Sequence, residues 1–74
     1  MELCKIEFDR VGIIKKIMVN DDMKRRFMDI GVVPGNEIIR VMEDYGKGIS
    51  AYIIMDSLIG IRNKDARGII VNYE

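Results

Sequence analysis

The sequence predicts a mainly β protein, a small five-stranded β-barrel with one α-helix after its first long strand. Three observations lead there. Apolar, β-branched runs of five to eight residues recur between Gly, Asn and Asp clusters, as short strands do. One segment near residues 20–31 carries helical spacing with both a start and a stop signal. The chain has 74 residues, 49% of them hydrophobic, which suits a single domain (1–74) whose core has to close tightly. Closing the sheet also protects edges that such short strands would expose.

The first strand is read at IIKKIMV (13–19), between Gly12 and the Asn20-Asp21-Asp22 cluster. Strict alternation puts Ile13, Ile17 and Val19 on one face, with Ile14 and Met18 on the other. It also sends the adjacent Lys15 and Lys16 to opposite sides.

Asn20, Asp21 and Asp22 then open a helix, because their side chains accept hydrogen bonds from the free N–H groups of a first turn and suit its positive dipole end. Met23, Phe27 and Ile30 fall at i, i+4 and i+7, one apolar stripe for the core. Lys24, Arg25, Arg26 and Asp29 lie off that stripe, with Asp22–Arg26 and Arg25–Asp29 at i, i+4 spacing. Gly31 stands where a left-handed residue ends a helix, and Pro34-Gly35 is a turn signal. A helix of about ten residues is unstable alone in water, so its stripe has to pack on the mouth of the sheet.

The remainder is β. EIIRVMED (37–44) places Ile39 and Val41 on one face and Ile38 and Met42 on the other. YGKG (45–48) is a glycine-rich hairpin connection to ISAYIIM (49–55), Asp56-Ser57 is a turn, and LIGIR (58–62) follows, its Gly60 marking a bulge or close approach. Asn63 to Ala66 forms one capped helical turn ended by Gly68, and IIVNY (69–73) completes the sheet.

Composition restricts function. Twelve basic and twelve acidic residues give a net charge of zero, unlike the strongly basic domains that bind nucleic acid by bulk attraction. The single Cys4 excludes an internal disulfide framework, and is expected to be a small buried hydrophobe or an incidental thiol. With no His, the commonest general base is missing, and Ser50 and Ser57 have no partner of that kind. No glycine-rich phosphate loop precedes a Lys-Ser/Thr. The pairs Asp21-Asp22 and Glu43-Asp44 fall short of the ligands a hard cation needs. No catalytic, cofactor or metal site is expected. The start, MELCKIEFDR, has no apolar signal region, and no run approaches a membrane span, so a soluble cytosolic module is expected.

The order of these signals resembles a known family. RRFMDIGVVPG (25–35), EIIRV (37–41) and IGIRNKDARGIIV (59–71) are similar in order and spacing to the FeoA family of small accessory proteins of bacterial ferrous iron uptake. Ile30-Gly31, Pro34-Gly35, Ile61-Arg62, Ala66, Ile69 and Val71 take the places of the family pattern, and the resemblance covers residues 11 to 71. It implies an SH3-like barrel without enzymatic activity. It also implies a cytoplasmic regulatory role beside the FeoB-type iron transporter, peripheral to the inner face of the membrane through that partner. Many members carry Gly-Asp-Pro in the hairpin where this chain has YGKGIS (45–50).

Lys24, Arg25, Arg26 and Asp29 are the candidate partner-binding residues, and Gly31, Pro34 and Gly35 the structural turn. Two other readings are compatible with a small barrel. One is a nucleic-acid-binding module, with VGIIKKI (11–17) as a basic strand and Phe8, Phe27, Tyr45, Tyr52 and Tyr73 as the available aromatics. The other is a stand-alone relative of the SH3-like domain of iron-dependent repressors.

Overall fold

The structure, a computed structural model, describes residues 1–74 apart from the side chains of Asp44 and Tyr45. The acidic pair Glu43-Asp44 and the Tyr45 end of the glycine-rich hairpin therefore lie partly outside the described residues.

A 3₁₀ turn (Leu3–Lys5) precedes strand β1 (Val11–Ile17), helix α1 (Asp21–Asp29), β2 (Glu37–Gly46), β3 (Ile49–Ile54), β4 (Ser57–Arg62), the short helix α2 (Asn63–Ala66) and β5 (Ile69–Tyr73). The five strands form one antiparallel sheet in the order β4-β3-β2-β1-β5. The expected five strands and single long helix are all present. The sheet differs from a closed barrel in that β4 and β5, at its two ends, do not pair with each other; α2 joins them. The outer side of β5 is instead covered by the N-terminus. The Met1 ammonium donates to the Val71 carbonyl at 2.8 Å, the Val71 amide donates to the Met1 carbonyl at 2.8 Å, and Glu2 bridges to Ile70.

The core is built from both ends of the chain. Leu3 and Ile6 are fully buried with Ile14, Val32, Ile38, Tyr52, Ile69 and Val71. Strand β1 does not alternate as its sequence suggests. Its register against β5 shifts between Ile14 and Lys16, so Ile14 and Ile17 both point inward while Lys15 and Lys16 are both exposed. The bulge supplies the extra residue that makes this possible. Met18 lies beyond the strand and is exposed.

A second register shift, between Arg40 and Met42, alters β2. Ile38 and Met42 do not share a buried face as alternation pairs them: Ile38 is buried, Met42 is half exposed, and the inward neighbour of Ile38 is Arg40. The turn between β3 and β4 is Met55-Asp56, one residue earlier than Asp56-Ser57. Both residues have positive φ (49° and 62°), the geometry that matches the twist of a two-residue hairpin. Gly60 sits opposite Ala51 in an unshifted register, so β4 carries no bulge there. The N-cap of α2 is Arg62, which makes no side-chain capping bond; the Asn63 carboxamide oxygen instead accepts from the Ser50 hydroxyl at 2.6 Å.

Candidate functional site

Helix α1 forms where its sequence signals lie. The Asn20 side chain accepts from the Met23 amide at 2.8 Å, satisfying one of the free donors of the first turn. At the other end Gly31 has φ +89°. Its amide donates to the Met28 carbonyl at 3.1 Å, and the Val32 amide donates to the Phe27 carbonyl at 2.8 Å, the paired bonds of a Schellman motif. Val32 and Phe27 are both buried, so the motif turns the chain straight into the core. Gly35, with φ +96°, donates its amide to the Ile14 carbonyl at 2.8 Å, and Asn36 Nδ2 donates to the Gly31 carbonyl at 2.7 Å. The segment containing Gly31, Pro34 and Gly35 thus ties the helix end to β1.

The expected apolar stripe is only partly internal. Phe27 is buried and Met23 half-buried, but Ile30, at the C-cap, is 44% exposed. The Schellman motif at Gly31 ends the helix at this residue, and its neighbours are hairpin residues rather than the sheet mouth. Ile30 instead joins Met28 and Met55 around an open groove of about 490 Å³, with Ile59 half-buried in its wall and Asp29 and Ser57 on its rim. Met55 leans over Gly31, where a Cβ would come within 2.5 Å of its sulfur.

Lys24, Arg25, Arg26 and Asp29 are all exposed on α1. The expected pairs Asp22–Arg26 and Arg25–Asp29 are not formed; among the described residues the salt bridges are Arg10–Glu7 and Arg40–Glu43. Exposed ion pairs on a helix contribute so little that side-chain entropy can leave them open. The structure brings the four residues to one helix and adds the groove, whose lining Asp29 shares.

Arg40 was not singled out by the sequence reading. Its Nη1 donates to the Ile6 carbonyl at 3.0 Å, its Nη2 lies 3.4 Å from Glu43, and its guanidinium covers the Phe8 ring at 4.5 Å. Its register partner is the fully buried Tyr52, and among the described residues neither Arg40 Nε nor the Tyr52 hydroxyl has a hydrogen-bond partner. Burial pushes the Tyr52 hydroxyl up from its ordinary range, and the nearby Arg40 charge offsets part of that rise. Alternation was the available signal, since Arg40 lies two residues from Ile38 on the same side.

Among the described side chains, the aromatic set offers little for stacking bases. Phe27 and Tyr52 are core, while Arg40 occupies a face of Phe8 and Arg10 a face of Tyr73, at 3.5 Å from the ring centre. Cys4 is half-buried, its thiol donating to Glu2 Oε1 at 3.6 Å. Burial and the neighbouring carboxylate push that thiol up, away from a reactive thiolate. No group of three Cys, Asp or Glu side chains that could hold a metal ion occurs among the described residues. Among the described residues no helix is long and apolar enough to cross a membrane.

The sheet, its one long helix and its exposed helix-and-hairpin surface define a small SH3-like β domain. The FeoA domain model matches residues 1–73, and the chain belongs to the FeoA family, which is associated with ferrous iron transport. The solution structure of the FeoA protein of Chlorobium tepidum superposes with a TM-score of 0.90 at 20% identity, covering 99% of this chain and 70% of that one. Iron(II) transport protein A of Clostridium thermocellum gives 0.87 at 26% identity over 99% of this chain, which spans 45% of that relative. The zinc-complexed FeoA of Stenotrophomonas maltophilia, a procaryotic SH3 domain protein, gives 0.81 at 20% identity over 97% and 89% of the two chains. No curated protein matches the sequence.

Proposed function

We propose that this chain is a non-enzymatic accessory module of ferrous iron uptake that works by binding the cytosolic part of a FeoB-type transporter, and so sits at the inner face of the membrane through its partner. The observation that carries this reading is the α1 surface. Lys24, Arg25 and Arg26 are exposed on one helix, with no intramolecular ion pairs among the described residues, and the groove lined by Met28, Ile30 and Met55 follows at the helix C-terminus. A cationic face beside an apolar depression suits an acidic partner surface that also offers an apolar side chain. Arginine is favoured in this setting because its planar guanidinium binds a carboxylate through two parallel hydrogen bonds. Family membership supplies the iron transport context.

The double variant Arg25→Glu/Arg26→Glu is expected to weaken association with the transporter's cytosolic part at least about tenfold, roughly 1.4 kcal/mol. Both residues are exposed, so the circular dichroism spectrum should not change. A folded double variant that binds with wild-type affinity at low and high salt would place the contact elsewhere, with the YGKGIS hairpin (45–50) the next surface to test.

A further inference from the structure

The two ends of the sheet are treated differently. The β5 edge is occupied by Met1 and Glu2, whereas the β4 edge has no covering segment among the described residues. The Asn63 amide donates to the Gly48 carbonyl at 2.7 Å, which marks Ile49–Arg62 as a non-hydrogen-bonded pair of the β3–β4 ladder. By alternation, Leu58 and Gly60 also turn their N–H and C=O groups outward, and no partner for them occurs among the described residues. Leu58 is 57% exposed, and Gly60 is exposed beside it. Residues 57–61 carry no charge, no proline and no register shift, the devices that normally blunt an edge strand.

We propose that β4 is the pairing edge of a two-fold symmetric dimer of this chain, joined antiparallel with Ile59 facing Ile59 of the second copy. Outward groups then meet outward groups, because Leu58 pairs with Gly60 of the second copy and Gly60 with its Leu58. Each exposed leucine covers the surface that a glycine leaves bare. The same register brings Asp56, in the turn that leads into β4, toward Arg62 of the second copy at both ends of the ladder, two opposite-charge pairs generated by symmetry. Asp56 and Arg62 are both exposed and make no salt bridge within the chain among the described residues. A net charge of zero leaves no long-range repulsion between copies. The pairing does not depend on the proposed transporter contact.

Sedimentation equilibrium up to about 1 mM protein tests the dimer, with amide exchange by NMR locating it. Expected are a mass rising above the 8.5 kDa of one chain and concentration-dependent protection of the Leu58 and Gly60 amides. Arg62→Glu alone, and Asp56→Lys alone, place like charges together at both ends and should each weaken self-association at least about tenfold. An equimolar mixture of the two variants restores both opposite-charge pairs, and should return to within about threefold of wild type. A single-chain mass throughout, unprotected Leu58 and Gly60 amides, or a mixture no better than its components would overturn the proposal. So would protection of this edge that arises only when a different protein is added.

Discussion

Gly68 and Met18 meet backbone to backbone where β5 begins and β1 has just ended. The Met18 amide donates to the Gly68 carbonyl at 2.6 Å, and a Cβ on Gly68 would lie 2.5 Å from the Met18 carbonyl oxygen and 2.8 Å from Val19 Cγ1. Gly68 does not have positive φ, so the missing side chain itself is what the site requires. Gly68→Ala should destabilise the domain by about 1–3 kcal/mol, because backbone cannot move aside as a flexible side chain can. An unchanged denaturant midpoint would show that the two strands can separate at no cost.

Gly31 presents the opposite case. Its φ of +89° is the constraint, while the atom nearest an added Cβ is the movable end of Met55. Gly31→Val should therefore cost about 1–3 kcal/mol or more, and Gly31→Asn distinctly less, since Asn tolerates left-handed backbone. Equal, negligible losses in urea melts would contradict the Schellman geometry.

Phe27 is the buried anchor of α1, at 5% exposure. Phe27→Ala should cost about 3–5 kcal/mol, a large share of what a domain this small possesses. Ile30→Ala should cost much less, because Ile30 lines the open groove rather than the core. Chemical denaturation of the two variants side by side checks the difference.

The Tyr52 hydroxyl predicts a pH effect. Its folded-state value is raised above the ordinary 10.0 by burial, so the unfolded chain ionises first as pH rises. The stability it contributes is fully present below about pH 10 and is lost as pH climbs through the folded-state value. Tyr52→Phe should remove that alkaline loss. It should also change stability by no more than about 1 kcal/mol at pH 7, because the buried hydroxyl it deletes has no hydrogen-bond partner among the described residues. Denaturant midpoints measured from pH 7 to pH 11 for both proteins test this; parallel curves would assign the alkaline loss to other groups.

Much of this structure is governed by neighbours along the chain. Asn20 caps the helix because its side chain reaches an amide three residues on, and Gly31 ends it because only backbone there has to turn left-handed. The glycine-rich connection, the five strands and the exposure of Lys24, Arg25 and Arg26 follow from equally short-range preferences. The sequence by itself therefore determined the element order and the polar face of α1.

Tertiary pairing decided the rest. Strict alternation cannot anticipate the shifts at Ile14/Lys16 and Arg40/Met42, because a bulge is set by how distant strands match in length and twist. Arg40 became a buried residue only when the N-terminal segment brought the Ile6 carbonyl and the Phe8 ring to it, across 34 and 32 positions of sequence. The β3–β4 turn moved to Met55-Asp56 in a fold where Met55 lies over Gly31, from a separate part of the chain. Ile30 opened to a groove because the hairpin, not the sheet mouth, is its neighbour. Each of these outcomes depends on contacts between segments far apart in sequence, whose energies no local pattern of residue types encodes.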